Sequence, residues 1–348
     1  MGVKNSSALL IIIAFIFLSF GSLSAQNNSY AVQLYGEGEF TKAIDACNRL
    51  IHDNKHDTVA YIYRGLSKEA IKDYSGARSD FKEISKMNPK DAGAHFRLGV
   101  LWSETEDYFH SIKEFTKAIM LDSNYAVAYN NRGNSEYLVG DSRHAEQDFL
   151  TAIKVDTTYP DPHYNLGHLH MVLGKTNSAI QDFSMAIALS PDDADAFFSR
   201  GQAYDAMNDT LNALNDYDNV LQIDSTYDDA YYFRGSDRLK VRDEQGAIED
   251  FTMSLASDSS YYMVYYLRGT AYDSLKLYRS AINDFKASLK LETDDENVYF
   301  GLGYSYLKIG DKDRACENLN DAYYYGMRGE AIKLLDENCR GRVKLYWR

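Results

Sequence analysis

The sequence predicts an all-α solenoid of nine helix-turn-helix repeats with a C-terminal capping helix. Three observations carry this. Glycine recurs every 34 residues at Gly65, Gly99, Gly133, Gly167, Gly201, Gly235, Gly269 and Gly303, and one period further back stands Ala31. Twelve residues after each comes a small residue: Ala43, Ala77, Ser111, Ala145, Ala179, Ala213, Ala247, Ala281 and Ala315. Four further on stands a large one: Cys47, Phe81, Phe115, Phe149, Phe183, Tyr217, Phe251, Phe285 and Leu319. A period of this length in helical sequence marks units that bury their apolar faces by stacking on one another.

Counting each repeat from seven residues before its glycine, the elements follow in order. The first helix carries a large ring at position 4 in most repeats (Tyr61, His95, Tyr129, His163, Phe197, Tyr231, Tyr265, Tyr299) and the glycine at position 8. Asp73, Asp107, Asp141, Asp209, Asp243 and Asp311 stand at position 16, where the second helix needs an N-cap. That helix carries the small residue at 20 and the large one at 24. A glycine inside a helix costs ~1 kcal/mol relative to alanine, so close approach of two backbones at positions 8 and 20 is the expected compensation. All four prolines (Pro89, Pro160, Pro162, Pro191) fall at repeat junctions. Average usage would place about 17 in this length.

Arginine at position 7 (Arg64, Arg132, Arg200, Arg234, Arg268) coincides with aspartate at 23 (Asp80, Asp148, Asp216, Asp250, Asp284). The expectation is an ion pair bridging the two helices, against a reading of separately solvated charges.

Both ends leave the period. Residues 1–25 have one charge, Lys4, an apolar run from Ala8 to Phe20, and small residues at Ser22, Ser24 and Ala25. This layout reads as a secretory signal peptide, cut after Ala25. Leu23 is imperfect at minus three, so a cut after Ser24 stays open, and an uncleaved anchor is the alternative. The nine repeats then fill 26–329, with boundaries near 58, 92, 126, 160, 194, 228, 262 and 296. Residues 330–348 supply a capping helix, with Ala331, Ile332, Leu334 and Leu335 as its apolar residues, followed by a basic tail. In an oxidising compartment Cys316 and Cys339 can form a disulfide that fastens this cap; the alternative is two free thiols. Cys47 reads as core.

The columns resemble the tetratricopeptide repeat (TPR) family, whose pattern is a large residue at 4, Gly or Ala at 8, Ala at 20, an aromatic at 24 and often Pro at 32. Pro89 and Pro191 match that last position, while Ser, Thr or Lys stands there in most other repeats. The resemblance runs from about Ser24 to Gly329. It implies a right-handed superhelix whose first helices line a concave face through positions 2, 5, 6, 9, 12 and 13. Position 5 then supplies an aromatic stripe: Phe96, Tyr164, Phe198, Tyr232, Tyr266 and Phe300. Asn130, Asn131, Asn134, Asn165, His168 and Gln202 form a central amide-rich patch beside it. Amides donate and accept, which suits a peptide backbone, and rings add contact with little entropy loss. The candidate groove is therefore Asn130, Asn131, Asn134, Tyr164, Asn165, His168, Phe198, Gln202, Tyr232 and Tyr266. The basic clamp that chaperone-binding members close on a terminal carboxylate is missing; Arg97 is its lone match.

Formal net charge of −14 opposes nucleic-acid binding. Three scattered cysteines lack zinc-ligand spacing. His163 and His170 fall at core positions 4 and 11, and His168 alone faces the groove. Asp192-Asp193 and Asp294-Asp295 read as helix-start charges, and no phosphate loop or nucleophile motif is present. The expectation is a non-enzymatic, exported adaptor for a protein or peptide, periplasmic or secreted, without metal or cofactor. The mature chain is expected to be soluble without a transmembrane span. The alternative is a structural subunit of an envelope or secretion assembly.

Overall fold

The computed structural model describes residues 24–292 and 294–339, with side chains from residue 28 onward. The expected leader (apart from residues 24 and 25) and the basic tail at 340–348 lie outside the described residues. By contact the chain divides into two units, residues 1–165 and 166–348.

The first unit pairs α1 (Ser24–Gly36) with α2 (Phe40–Asp53) and α3 (Thr58–Ala70) with α4 (Tyr74–Met87). It continues with α5 (Ala92–Ser103) and α6 (Tyr108–Leu121), then α7 (Ala126–Leu138) and α8 (Ser142–Val155), and ends in the first turn of α9 (Asp161–Val172). The second unit holds the rest of α9 with α10 (Thr176–Leu189). After it come α11 (Ala194–Ala206) with α12 (Thr210–Ile223) and α13 (Asp228–Lys240) with α14 (Glu244–Ser257). The last pairs are α15 (Tyr262–Ser274) with α16 (Tyr278–Leu291) and α17 (Glu296–Lys308) with α18 (Lys312–Tyr325), and α19 (Arg328–Asn338) closes the array. Among the described residues there are nine helical pairs, one terminal helix and no strand.

The six aspartates at position 16 each cap a second helix; Asp73, for example, accepts from the backbone N–H of Gly76 at 2.9 Å. Asp193 and Asp295, one from each acidic pair, cap α11 and α17 in the same way.

The glycine ladder has a second cause beside the expected close backbone approach, which is seen at Gly133, where a Cβ would lie 3.3 Å from the Ala145 carbonyl oxygen. A Cβ on Gly65 would lie 2.8 Å from Cε2 of Phe81, and one on Gly99 2.6 Å from the Phe115 ring. On Gly201 and Gly269 it would meet Tyr217 and Phe285 at 2.8 Å, and on Gly303 the Leu319 side chain. The large residue at position 24 of the same repeat occupies the space that a methyl would need. Burial of that side chain, with Phe115, Phe149, Phe183, Tyr217, Phe251 and Phe285 all essentially inaccessible, is what offsets the low helix propensity of glycine.

All five expected Arg–Asp pairs form. Arg200 donates through Nε and Nη2 to both oxygens of Asp216 at 2.8 and 2.7 Å, and the others repeat this fork. Each arginine also reaches back through Nη1 to position 25 of the preceding repeat: Asn48, Thr116, Ser184, Asp218 and Thr252. One side chain thus ties three helices. Burial nonetheless pushes the Asp216 carboxyl up, against the hydrogen bonds of Arg200, so desolvation offsets part of what the pair contributes. In two of the three repeats with leucine at position 7, a histidine meets the acid at position 23: His95 with Glu114 at 2.7 Å and His170 with Asp182 at 2.6 Å.

The cap docks as its apolar residues require. Ala331 and Leu335 are buried, Leu335 beside Leu319, and the Cys316–Cys339 disulfide joins α18 to the end of α19. Cys47 is a free buried thiol, pushed up to about 11 by burial.

Candidate protein-binding surface

Position 34, the last residue of each repeat, lies against position 5 of that repeat in several places, as where the buried Asn28 amide donates to Asp57. In repeats one, two, five and eight it is aspartate (Asp57, Asp91, Asp193, Asp295), and each caps the following helix. In repeats three, four, six and seven it is tyrosine, and the ring or hydroxyl closes over position 5. Tyr125 lies 4.9 Å from Phe96, Tyr227 5.0 Å from Phe198 and Tyr261 5.2 Å from Tyr232, ring centre to ring centre. The Tyr159 hydroxyl accepts from the Asn130 amide at 3.2 Å. Burial pushes the Tyr125 phenol up to about 12 and the Tyr159 phenol well above its ordinary value, so both of these lids are neutral.

This column corrects two of the expected groove residues. Asn130 is 3% exposed, its amide held by Tyr159 and by Asn165, which donates to its Oδ1 at 2.8 Å. Phe198 is 8% exposed and packs among Tyr217, Tyr227 and Phe233. Both belong to the interior, because the tyrosine lid removes them from solvent. Asn165 is half-buried with its amide on Asn130, and the half-buried Asn131 gives its amide to the Val127 carbonyl one turn back. Asn134 and Tyr164 are half-buried in the first unit. In the second unit, His168 lies 3.2 Å from the Ser199 hydroxyl and edge-on to Phe183. Gln202, Tyr232 and Tyr266 are half-buried.

A cavity of about 700 Å³ opens in the second unit instead, where repeats eight and nine both lack the tyrosine lid. Position 34 is Asp295 in repeat eight and Gly329 in repeat nine. The walls come from inner positions of α15 (Tyr266, Thr270, Asp273) and of α17 (Asn297, Phe300, Gly301, Tyr304), with Met327 and Leu334 from the cap. Glu330, Lys333 and Glu337 stand exposed along its cap side. Gly301 keeps the floor open, since a Cβ there would lie 2.7 Å from Cζ of Phe285. Asp273 is half-buried and accepts from the Ser305 hydroxyl at 2.7 Å. Burial holds its carboxyl above the usual range, against that hydrogen bond and Lys308. Of the candidate residues only Tyr266 lines this cavity; the missing signal was the change of residue at position 34.

Among the described residues, no group of three or more His, Cys, Asp or Glu side chains is arranged to hold a metal, and no helix is long and apolar enough to cross a membrane.

Models of the tetratricopeptide repeat match residues 194–227, 264–295 and 297–325, and a related TPR model matches 171–208. The matched segments, 171–227, 264–295 and 297–325, are tetratricopeptide repeats. Tetratricopeptide repeat protein 16 of Mus musculus is 31% identical over 74 residues, which are 21% of this chain and 10% of that protein. Its Homo sapiens counterpart is 26% identical over 91 residues. The chain thus matches about a tenth of the length of these curated relatives. Among solved structures, it resembles the C-terminal part of a TPR repeat-containing protein of Cytophaga hutchinsonii. That match has a TM-score of 0.55 and 21% identity, covering 68% of this chain and 97% of that one. It also resembles PilF of Pseudomonas aeruginosa, with a TM-score of 0.53 and 20% identity, covering 63% and 96%. At these identities the likeness concerns the fold alone.

Proposed function

We propose that this protein is a non-enzymatic scaffold or adaptor that holds a protein or peptide on the inner-helix positions of its repeats, in an exported compartment. The observation that carries the binding reading is the cavity at positions 2, 5, 6, 9 and 12 of repeats eight and nine, walled on a further side by the capping helix. Concave sites lined by rings and a few polar groups are where ligands are buried best. Export is supported by the apolar run of residues 8–20 and agrees with the Cys316–Cys339 disulfide, a bond that persists in oxidising compartments. Sequencing the N-terminus of the protein from its host should find Gln26 or Ala25 first; Met1 would retire the cleaved leader.

A second reading, a structural subunit of an envelope or secretion assembly, draws support from apolar residues on second helices. Phe109 and Met120 on α6 and Leu211 on α12 are each more than 70% exposed. Photo-crosslinking in the host separates the two. A crosslinker at Gln202 or Tyr304 should capture a partner if the inner positions bind. Capture from Leu211 and Phe109 alone would favour the assembly subunit.

A further inference from the structure

We propose that the cavity between α15, α17 and α19 takes the cationic side chain of a basic segment, lysine or arginine, presented by the partner protein. The assignment rests on the scaffold reading above and specifies the chemistry of its ligand.

The strongest argument is a comparison within the chain. Asp205 and Asp273 occupy the same position 12, in repeats six and eight. Lys240 and Lys308 occupy the same position 13, in repeats seven and nine. In the earlier pair the ammonium is taken up: Lys240 Nζ lies 2.9 Å from Asp205 and 2.6 Å from the buried Asp237. Asp205 is further held by the hydroxyl of Tyr217 at 2.7 Å. In the later pair Lys308 turns to Tyr304, with its Nζ 4.7 Å from the ring centre. No basic side chain among the described residues forms an ion pair with Asp273, which accepts from the neutral Ser305 hydroxyl. The same carboxylate that receives an internal ammonium in repeat six thus faces an open cavity in repeat eight.

The remaining walls fit such a guest. Tyr266, Phe300 and Tyr304 supply aromatic rings, whose faces attract ammonium and guanidinium groups. Met327 and Leu334 offer apolar surface to the methylene stem that both side chains carry. The lining holds three carboxylates, Asp273, Glu330 and Glu337, against one lysine, Lys333. A formal charge of −14 on the whole chain draws basic partners in the same direction. The polarity is opposite to a pocket for a terminal carboxylate.

The test is titration of the full chain with blocked octapeptides of alanine and serine carrying one central lysine, arginine, glutamine or glutamate. The lysine and arginine peptides should bind at least tenfold more tightly than the other two. Asp273→Asn keeps the size of the side chain and an acceptor for Ser305; it should abolish that preference with an unchanged melting temperature. Should Asp273→Asn fold poorly, Tyr266→Leu serves in its place and should weaken the lysine and arginine peptides several-fold, leaving the glutamine peptide unaltered. A glutamine peptide that binds as well as the lysine one, a preference that survives Asp273→Asn, an unchanged lysine affinity in Tyr266→Leu, or no binding by any peptide overturns the proposal. Crosslinks from Tyr304 to a partner segment without lysine or arginine would overturn it too, while leaving the scaffold standing.

Discussion

Gly269 shows why a single hydrogen matters in this stack. Alanine is the better helix former by ~1 kcal/mol, yet its Cβ would come within 2.8 Å of Cε1 of Phe285, a ring with almost no exposure. Overpacking of that kind costs about 1 to 3 kcal/mol. Gly269→Ala should therefore lower the denaturation midpoint, and Phe285→Leu should make the same substitution less harmful; independent, additive effects would refute the steric explanation. Asp237 is the other instructive residue. At position 10, where Ser67, Ser135, Ala203, Ala271 and Ser305 stand in other repeats, this carboxyl is inaccessible and is pushed up to about 6, chiefly by burial. Proximity to Asp205 acts in the same direction, and Lys240 opposes both. A folded-state value above the ordinary 3.8 means that the folded chain holds the proton more tightly. The resulting stability is complete below that ordinary value and is lost as pH rises through about 6. Asp237→Asn should remove this pH dependence and stabilise the protein at pH 7.5 by about 1 to 2 kcal/mol. Equal slopes of stability against pH from 4.5 to 7.5 in the two proteins would contradict it.

Within the elements, each helical pair turns through one left-handed residue at position 15. Glycine fills it at Gly38, Gly140, Gly174 and Gly310, whereas Lys72, Glu106, Asn208, Arg242 and Lys276 adopt it with φ between 58° and 67°. For a residue with a Cβ this conformation costs about 1 to 2 kcal/mol, partly offset by the greater freedom of glycine in the unfolded chain. Lys276→Gly should thus stabilise the second unit by about 0.5 to 1 kcal/mol, read as a rise in the urea midpoint; a fall would show that the lysine side chain does more than turn the corner. The helix starts and the 7–23 ion pairs were legible because both partners lie in one repeat at fixed spacing. The third partner of each arginine lies 16 residues earlier, in the preceding repeat, and was overlooked although the sequence holds its signal. Asn48, Thr116, Ser184, Asp218 and Thr252 precede the arginines, whereas Lys82, Leu150 and Lys286 precede Leu98, Leu166 and Leu302. Position 34 carried a comparable signal: aspartate gives a cap, and tyrosine gives up the cap to cover position 5.

For the molecule as a whole, the C-terminal end is where stability and binding meet. A repeat array leaves an apolar face at each end, and α19 covers the last one while walling the cavity. The disulfide at its end closes a loop of 23 residues, for which the chain-entropy model gives about 3 kcal/mol. Reduction should raise amide exchange in Arg328–Asn338 by orders of magnitude and weaken binding at the cavity; exchange unchanged by reductant would show that apolar packing alone holds the cap. By itself the sequence determined the repeat, its helices, their caps and the pairing of arginine with aspartate, because all of these depend on spacing within one period. Only the tertiary structure decided what the glycines make room for and which inner side chains remain open. Those outcomes depend on which residue is brought alongside by packing: a ring against a bare Cα, a tyrosine over an amide, or a lysine that reaches its carboxylate in one repeat and turns away in another.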